Sequence, residues 1–147
     1  MKFIRNKIRG SYIIDKVFFK DTRGIFYRDY CKKILKKKKI NFDIKQTSIV
    51  FNDYKYTLRG FHYQSGKSEE KKIMTCIKGK GLIYIINLDK KSNHYLKPLR
   101  FILSEKNKRS LLIPKNCANA YMTLEKNTSF LYYMSNYYNK KQNNGFR

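Results

Sequence analysis

Two histidines occur in 147 residues, and one of them, His62, stands in the strand-like run TLRGFHYQ beside Arg59 and Gly60. Imidazole titrates near neutral pH, so a positioned histidine can take or give a proton under ordinary conditions. Alone in an apolar strand it can equally be a packed core residue. Arg59 is unexpected in the same strand, because a buried guanidinium needs an anionic partner or ligand. Strict alternation sets Arg59 and His62 on opposite faces, and Gly60 between them permits a bulge that relaxes this. Lys72 opens the run KIMTCI. A lysine at a strand start is ordinarily exposed; the chemical alternative is an ammonium turned inward to stabilise a developing oxyanion. Tyr132 lies in FLYYMSNYY with Tyr133, Tyr137 and Tyr138. Packing is the common role of such a cluster. A phenol that faces a pocket can also act as a general acid, and Tyr138 can stack on a nucleobase.

Other chemistries lack their residues. No G-x-x-x-x-G-K-[ST], no G-x-G-x-x-G opening a helix and no G-x-S-x-G occurs. Metal-binding jelly rolls use a His-x-His pair with a later Glu and His. Here Gln64 holds the second slot, Asn119 stands where a later histidine would, and His94 lies in the loop-like SNHYLK. No metal and no cofactor are expected. Cys31, Cys76 and Cys117 are odd in number and widely spaced, which suits neither a disulfide framework nor a zinc site and fits a reducing cytoplasm. No apolar run approaches the roughly eighteen residues of a membrane span. The start, MKFIRNKIRGSYIID, lacks the apolar core and cleavage site of a signal peptide.

Thirty-four Lys and Arg against ten Asp and Glu give a formal charge of +24. That invites a nucleic-acid reading. However, Lys, Asn, Ile and Tyr are abundant together, as AT-rich coding produces whatever the function. No nucleic-acid partner is expected, and the same field would steer anionic small molecules such as nucleotide sugars.

The elements that must hold these residues read mostly as strand: Ser11–Phe19, Gly24–Arg28, Thr47–Phe51, Thr57–Gln64, Lys72–Lys78, Gly81–Leu88, Leu99–Leu103, Ser110–Ile113, Ala118–Thr123 and Ser129–Ser135. Turn signals at 21–24, 52–53, 78–81 and 114–116 separate them. One helix is expected, from Asp29 to about Lys38, with a thin apolar stripe of Tyr30, Ile34 and Leu35 and solvated lysines. The tail NKKQNNGFR reads as weakly ordered. Roughly ten short strands with regular turns suggest one domain, 1–147, folded as a double-sheet jelly roll or barrel with a pocket between the sheets.

In order along the chain, DTRGIF, LRGFHYQ, KKIMTCIKG, LSEKNKRSLLIP and FLYYMSNYY make the sequence resemble the dTDP-4-dehydrorhamnose 3,5-epimerase family, from about Gly10 to Arg147. The resemblance implies an all-β, cupin-type double-stranded jelly roll with one short helix: a cofactor-free, cytoplasmic homodimer acting on an NDP-4-keto-6-deoxy sugar for surface polysaccharide. It implies that His62 removes a proton beside the C4 ketone, Lys72 steadies the enolate oxygen and Tyr132 returns a proton from the other face. It further implies that Arg23, Phe26, Arg28, Gln46, Ser48, Arg59, Asn119, Tyr138 and Asn143 bind the nucleotide sugar, with the segment around Arg23 to Arg28 reaching into the partner subunit's site.

The chain departs from the family pattern in several places. Arg28 replaces an acidic residue, Thr47-Ser48-Ile49 follows Gln46 where the family has Asp-Asn-His, Asn119 replaces a pocket histidine, Asn143 a glutamate and Ile83 an aspartate. The family also continues past Gly145-Phe146-Arg147 with a tryptophan and an aspartate that pairs with the catalytic histidine. The resemblance therefore leaves open whether the nucleotide is dTDP, and whether His62 works at full strength without that carboxylate. A 3,4-ketoisomerase of the same fold and a non-catalytic nucleotide-sugar binder are the alternatives. The first normally has a second histidine where this chain has Tyr63-Gln64.

Overall fold

Alternating, β-branched and aromatic runs build two antiparallel sheets in the computed structural model, which describes residues 1–146. The larger sheet takes the order β1-β2-β10-β7-β12-β5 and joins Lys2–Arg5, Tyr12–Asp15, Ser110–Ile113, Lys72–Lys78, Thr128–Met134 and Gln46–Asn52. The second takes the order β13-β6-β11-β8-β9 and joins Asn143–Gly145, Leu58–Gln64, Cys117–Thr123, Lys80–Asn87 and Pro98–Ser104. A two-stranded ribbon, β3 (Phe18–Asp21) and β4 (Gly24–Tyr27), stands apart from both. With α1 (Lys32–Lys37) as the one α-helix among the described residues, this is the expected all-β jelly roll with a short helix.

Period-two alternation decides which side chains meet. Met74 and Cys76 of β7, Leu111 and Ile113 of β10, Ile83 and Ile85 of β8 and Phe130 of β12 are buried between the sheets. Ile73 and Leu112 point the other way and pack with Ile14, Phe42 and Leu35 of α1, so the helix covers the outer face of the large sheet. Each such side chain contributes about 1.5–3 kcal/mol on full burial.

Three expectations are corrected. The run Ser11–Phe19 is two strands, because the chain leaves the large sheet at Lys16 and re-forms as the ribbon. The helix begins only at Lys32: Asp29 is held in an ion pair, and the Tyr30 hydroxyl donates to the Phe42 carbonyl at 2.8 Å. The tail is ordered as a 3-10 turn, Lys140–Gln142, and then β13, which pairs with β6. Its polar residues gain their order from that partner rather than from a core of their own. Arg147 lies outside the described residues.

The ribbon is fixed at its base by a buried ion pair. Lys16 precedes β3 and Asp29 follows β4; the Lys16 Nζ donates to the Asp29 carboxylate at 2.9 Å and to its carbonyl at 2.8 Å. The Lys16 side chain is wholly buried. Burial pulls its pKa below the usual lysine value, with Asp29 opposing. The Thr75 hydroxyl of β7 lies 3.3 Å from the same carboxylate and shares a short contact with Ser110 of β10, tying the clamp to the large sheet.

Candidate active site

At one end of the jelly roll the two sheets part into a cleft of about 340 Å³. β6 supplies Arg59 and His62 to it together. Opposite Arg59 on β11 stands Tyr121, and opposite His62 stands Asn119, so three steps along β6 match two along β11. The extra residue is the bulge that Gly60 permits. Its φ is +121°, and a Cβ at that position would sit 2.6 Å from Ala120. Only glycine fits there, and the bulge brings both side chains into one cleft.

The opposing wall comes from the large sheet. Lys72, at the start of β7, turns inward with its side chain 17% exposed, not outward as a strand-start lysine usually does. Its Nζ lies 3.1 Å from Glu70 Oε1. Tyr132 and Met134 of β12 and Ser48 and Val50 of β5 complete that wall. Tyr138 and Asn143 close one end. The Tyr138 segment is fastened from both sheets: Gln46 Oε1 accepts from the Tyr138 N–H, and Gln64 Oε1 accepts from the Asn139 N–H at 2.7 Å. Gln46 thus serves the cleft by holding Tyr138 rather than by lining it.

Electrostatics favour proton chemistry. Burial, then the charges of Lys72 and Arg59, lower the His62 pKa below its usual value, so the imidazole is a neutral base at pH 7. The Tyr132 phenol is pushed far up, first by burial and then by neighbouring Tyr121, so it holds a proton to deliver. Lys72 lies in the same cleft, its Nζ held by Glu70. Among the described residues no three His, Cys, Asp or Glu side chains converge as metal ligands.

Of the residues singled out in the sequence, His62, Lys72, Tyr132, Ser48, Arg59, Asn119, Tyr138 and Asn143 line this cleft. Arg23, Phe26 and Arg28 do not: they sit on or beside the exposed ribbon, where Arg23 pairs with Asp21 at 2.6 Å. Glu70 and Tyr121 were not foreseen. Both had a period-two signal, Glu70 sharing a face with Lys72 and Tyr121 with Asn119, but a Glu-Glu-Lys-Lys run reads as solvated and a strand tyrosine as core.

A family model described as dTDP-4-dehydrorhamnose 3,5-epimerase matches residues 5–147. The chain is 30% identical over 141 residues to the dTDP-4-dehydrorhamnose 3,5-epimerase of Salmonella typhimurium, spanning 94% of this chain and 75% of that protein. Its structure is similar to that of the Bacillus anthracis dTDP-4-dehydrorhamnose 3,5-epimerase with TDP and PPi bound, with a TM-score of 0.95 and 28% identity over 98% of this chain and 82% of that one. It is also similar to the Legionella pneumophila dTDP-6-deoxy-D-glucose-3,5-epimerase in complex with dTDP-4-keto-L-rhamnose (TM-score 0.93, 26% identity, 99% of this chain and 77% of that one). The sequence motifs and the jelly roll thus agree with these comparisons, and the chain belongs to the dTDP-4-dehydrorhamnose 3,5-epimerase family.

Proposed function

We propose that residues 1–147 act as one cofactor-free epimerase domain that inverts C3, C5 or both of an NDP-4-keto-6-deoxy sugar, in cytoplasmic synthesis of sugars for surface polysaccharide. Inversion requires a proton to leave one face of a carbon and another to arrive on the opposite face. The observation that carries the reading is that His62 and Tyr132 come from different sheets, across one cleft.

In this reading neutral His62 removes the proton beside the ketone. The Lys72 ammonium stabilises the enolate oxygen, a role in which a positioned cation in a cleft is worth several kcal/mol. Glu70 keeps that ammonium in place. Tyr132 then protonates the carbon from the far side. Arg59, its Nε anchored on Asn52 Oδ1 at 3.2 Å, presents the rest of its guanidinium to the diphosphate. Ser48, Asn119 and Asn143 offer hydrogen bonds to the sugar, and Tyr138 offers a ring to the base. In heavy water the wild type incorporates deuterium at the inverted carbon. His62→Ala abolishes that exchange, whereas Tyr132→Phe retains it while inversion falls sharply. Undiminished exchange in His62→Ala would remove His62 from the role of base.

The working unit in this proposal is a homodimer. Phe19 and Phe26, 64% and 62% exposed on the ribbon, are apolar groups a second copy would cover. Arg23 would then reach the neighbouring cleft, with Phe26 and Arg28 beside it. Mixing Arg23→Ala with His62→Ala, each inactive alone, restores some activity in hybrid dimers, because one site then has both groups. No recovery despite demonstrated subunit exchange would sink the shared site.

A further inference from the structure

The residue that anchors Arg59 lies outside the cleft. Asn52 ends β5 at the edge of the large sheet, is 4% exposed and does not line the cleft. It shares a strand face with Ser48 and Val50, which do. Its side chain meets groups from both sheets. Arg59 Nε of β6 donates to Asn52 Oδ1 at 3.2 Å, and the Tyr121 hydroxyl of β11 donates to the same oxygen at 2.9 Å. Within its own sheet, Asn52 Nδ2 donates to the Thr128 carbonyl of β12 at 3.0 Å. A carbonyl can only accept, and two donors need an acceptor, so the amide has a single orientation.

That orientation decides how Arg59 faces the cleft. Tyr121 is 3% exposed, with its ring packed on Phe130 at 4.6 Å between centroids, so its hydroxyl is a fixed support for Asn52 Oδ1. A guanidinium can grip a phosphate bidentately through Nε and one Nη, or through its two Nη atoms. With Nε spent on Asn52, the Nη1–Nη2 end is the one left for a ligand. No carboxylate pairs with Arg59 among the described residues. Asn52 is a neutral acceptor, so it orients the guanidinium without cancelling its charge. An aspartate in its place would orient the group and neutralise it.

We infer that Asn52 is a positioning residue for nucleotide-sugar binding: it ties the two sheets together behind the cleft and holds Arg59 with its Nη1–Nη2 end, still fully charged, toward the diphosphate. The inference rests on the reading of Arg59 as the diphosphate-binding group.

The test uses the full chain. Calorimetry gives the Kd of dTDP, and dTDP-4-keto-6-deoxyglucose gives KM and kcat, for Arg59→Ala, Asn52→Ala, their double variant and Asn52→Asp. Arg59→Ala removes charge-assisted hydrogen bonds and should weaken dTDP binding about 10–100-fold. In Asn52→Ala the arginine remains but must be immobilised as the ligand binds, which should weaken binding about 2–10-fold. KM should rise by the same factor with kcat retained, and the substitution should cost nothing further in the Arg59→Ala background. Asn52→Asp keeps the acceptor but cancels the charge, so its affinity should fall toward that of Arg59→Ala. A merely structural role would lower kcat and would add to Arg59→Ala; that outcome overturns the inference. So does wild-type affinity in Asn52→Ala while Arg59→Ala binds weakly, which leaves the diphosphate reading standing. If Asn52→Ala melts well below the wild type, Asn52→Asp decides, and wild-type affinity there overturns the inference as well. Unchanged affinity in Arg59→Ala, or no dTDP binding by the wild type, would remove the diphosphate reading itself.

Discussion

Asp29→Asn tests the clamp at the base of the ribbon. The substitution keeps the size and the backbone of Asp29 but leaves the Lys16 ammonium without its counter-charge. Breaking a buried pair from one side costs about 3–5 kcal/mol. The Asp29 side chain is 19% exposed against 0% for Lys16, so some water still reaches the pair and the lower end applies, about 3 kcal/mol. A chain of this length loses roughly 2–4 °C of Tm per kcal/mol, so a fall of about 10 °C is expected. Adding Lys16→Met removes the stranded charge while keeping the stem volume. The double variant should then be more stable than Asp29→Asn alone, short of the wild type by about 1 kcal/mol because the Asp29 carbonyl has lost its donor. Urea and thermal unfolding at one fixed protein concentration measure all four members of the cycle, since assembly makes Tm concentration-dependent. An Asp29→Asn protein melting within 2 °C of the wild type would refute the reasoning, where the expected loss is about 10 °C. So would a second substitution that deepens the loss.

Two further outcomes follow from the cleft. His62 should titrate below the usual histidine range in an NMR titration, and Lys72→Met should move it upward by removing a neighbouring cation. Because its folded pKa is lowered, the fold loses stability as pH falls from about 6.5 through that value, and activity loses its base over the same acid limb. A pKa unmoved by Lys72→Met would exclude the ammonium as its neighbour. Gly60→Ala should leave little folded protein, at a cost above about 3 kcal/mol, since alanine meets both a disfavoured φ and the Ala120 backbone; wild-type solubility and melting would contradict the bulge.

Much of the architecture was legible because local pattern and tertiary role coincided. Lys72–Lys78 and Ser110–Ile113 are runs whose alternate residues pack on two faces, and their limits are those of the folded strands. The bulge was legible from Gly60 alone. What escaped depends on partners distant in sequence. Nothing local marks Asn143–Gly145 as a strand, since β6 supplies its pairing. Nothing local says that the Glu70 carboxylate meets the Lys72 ammonium inside a cleft, or that Tyr121 meets Asn52, 69 residues away. Lys16 and Asp29 look like surface charges until the ribbon between them brings their ends together. Arg23, Phe26 and Arg28 enter the argument through family resemblance, and within one subunit they stay outside the cleft.

The pairing of β13 with β6 has a consequence in time. β6 carries His62, yet its partner along one edge is made some eighty residues later in synthesis, which proceeds from the N-terminus. Until residues 143–146 leave the ribosome, the N–H and C=O groups of Phe61 that bond Phe146 face outward as an open edge, ready to pair with any strand nearby. The wall that holds the imidazole is therefore sealed late. A nascent chain stalled before Asn143 would present that edge, with the cleft still unfinished, to whatever chaperone or sister chain reaches it first.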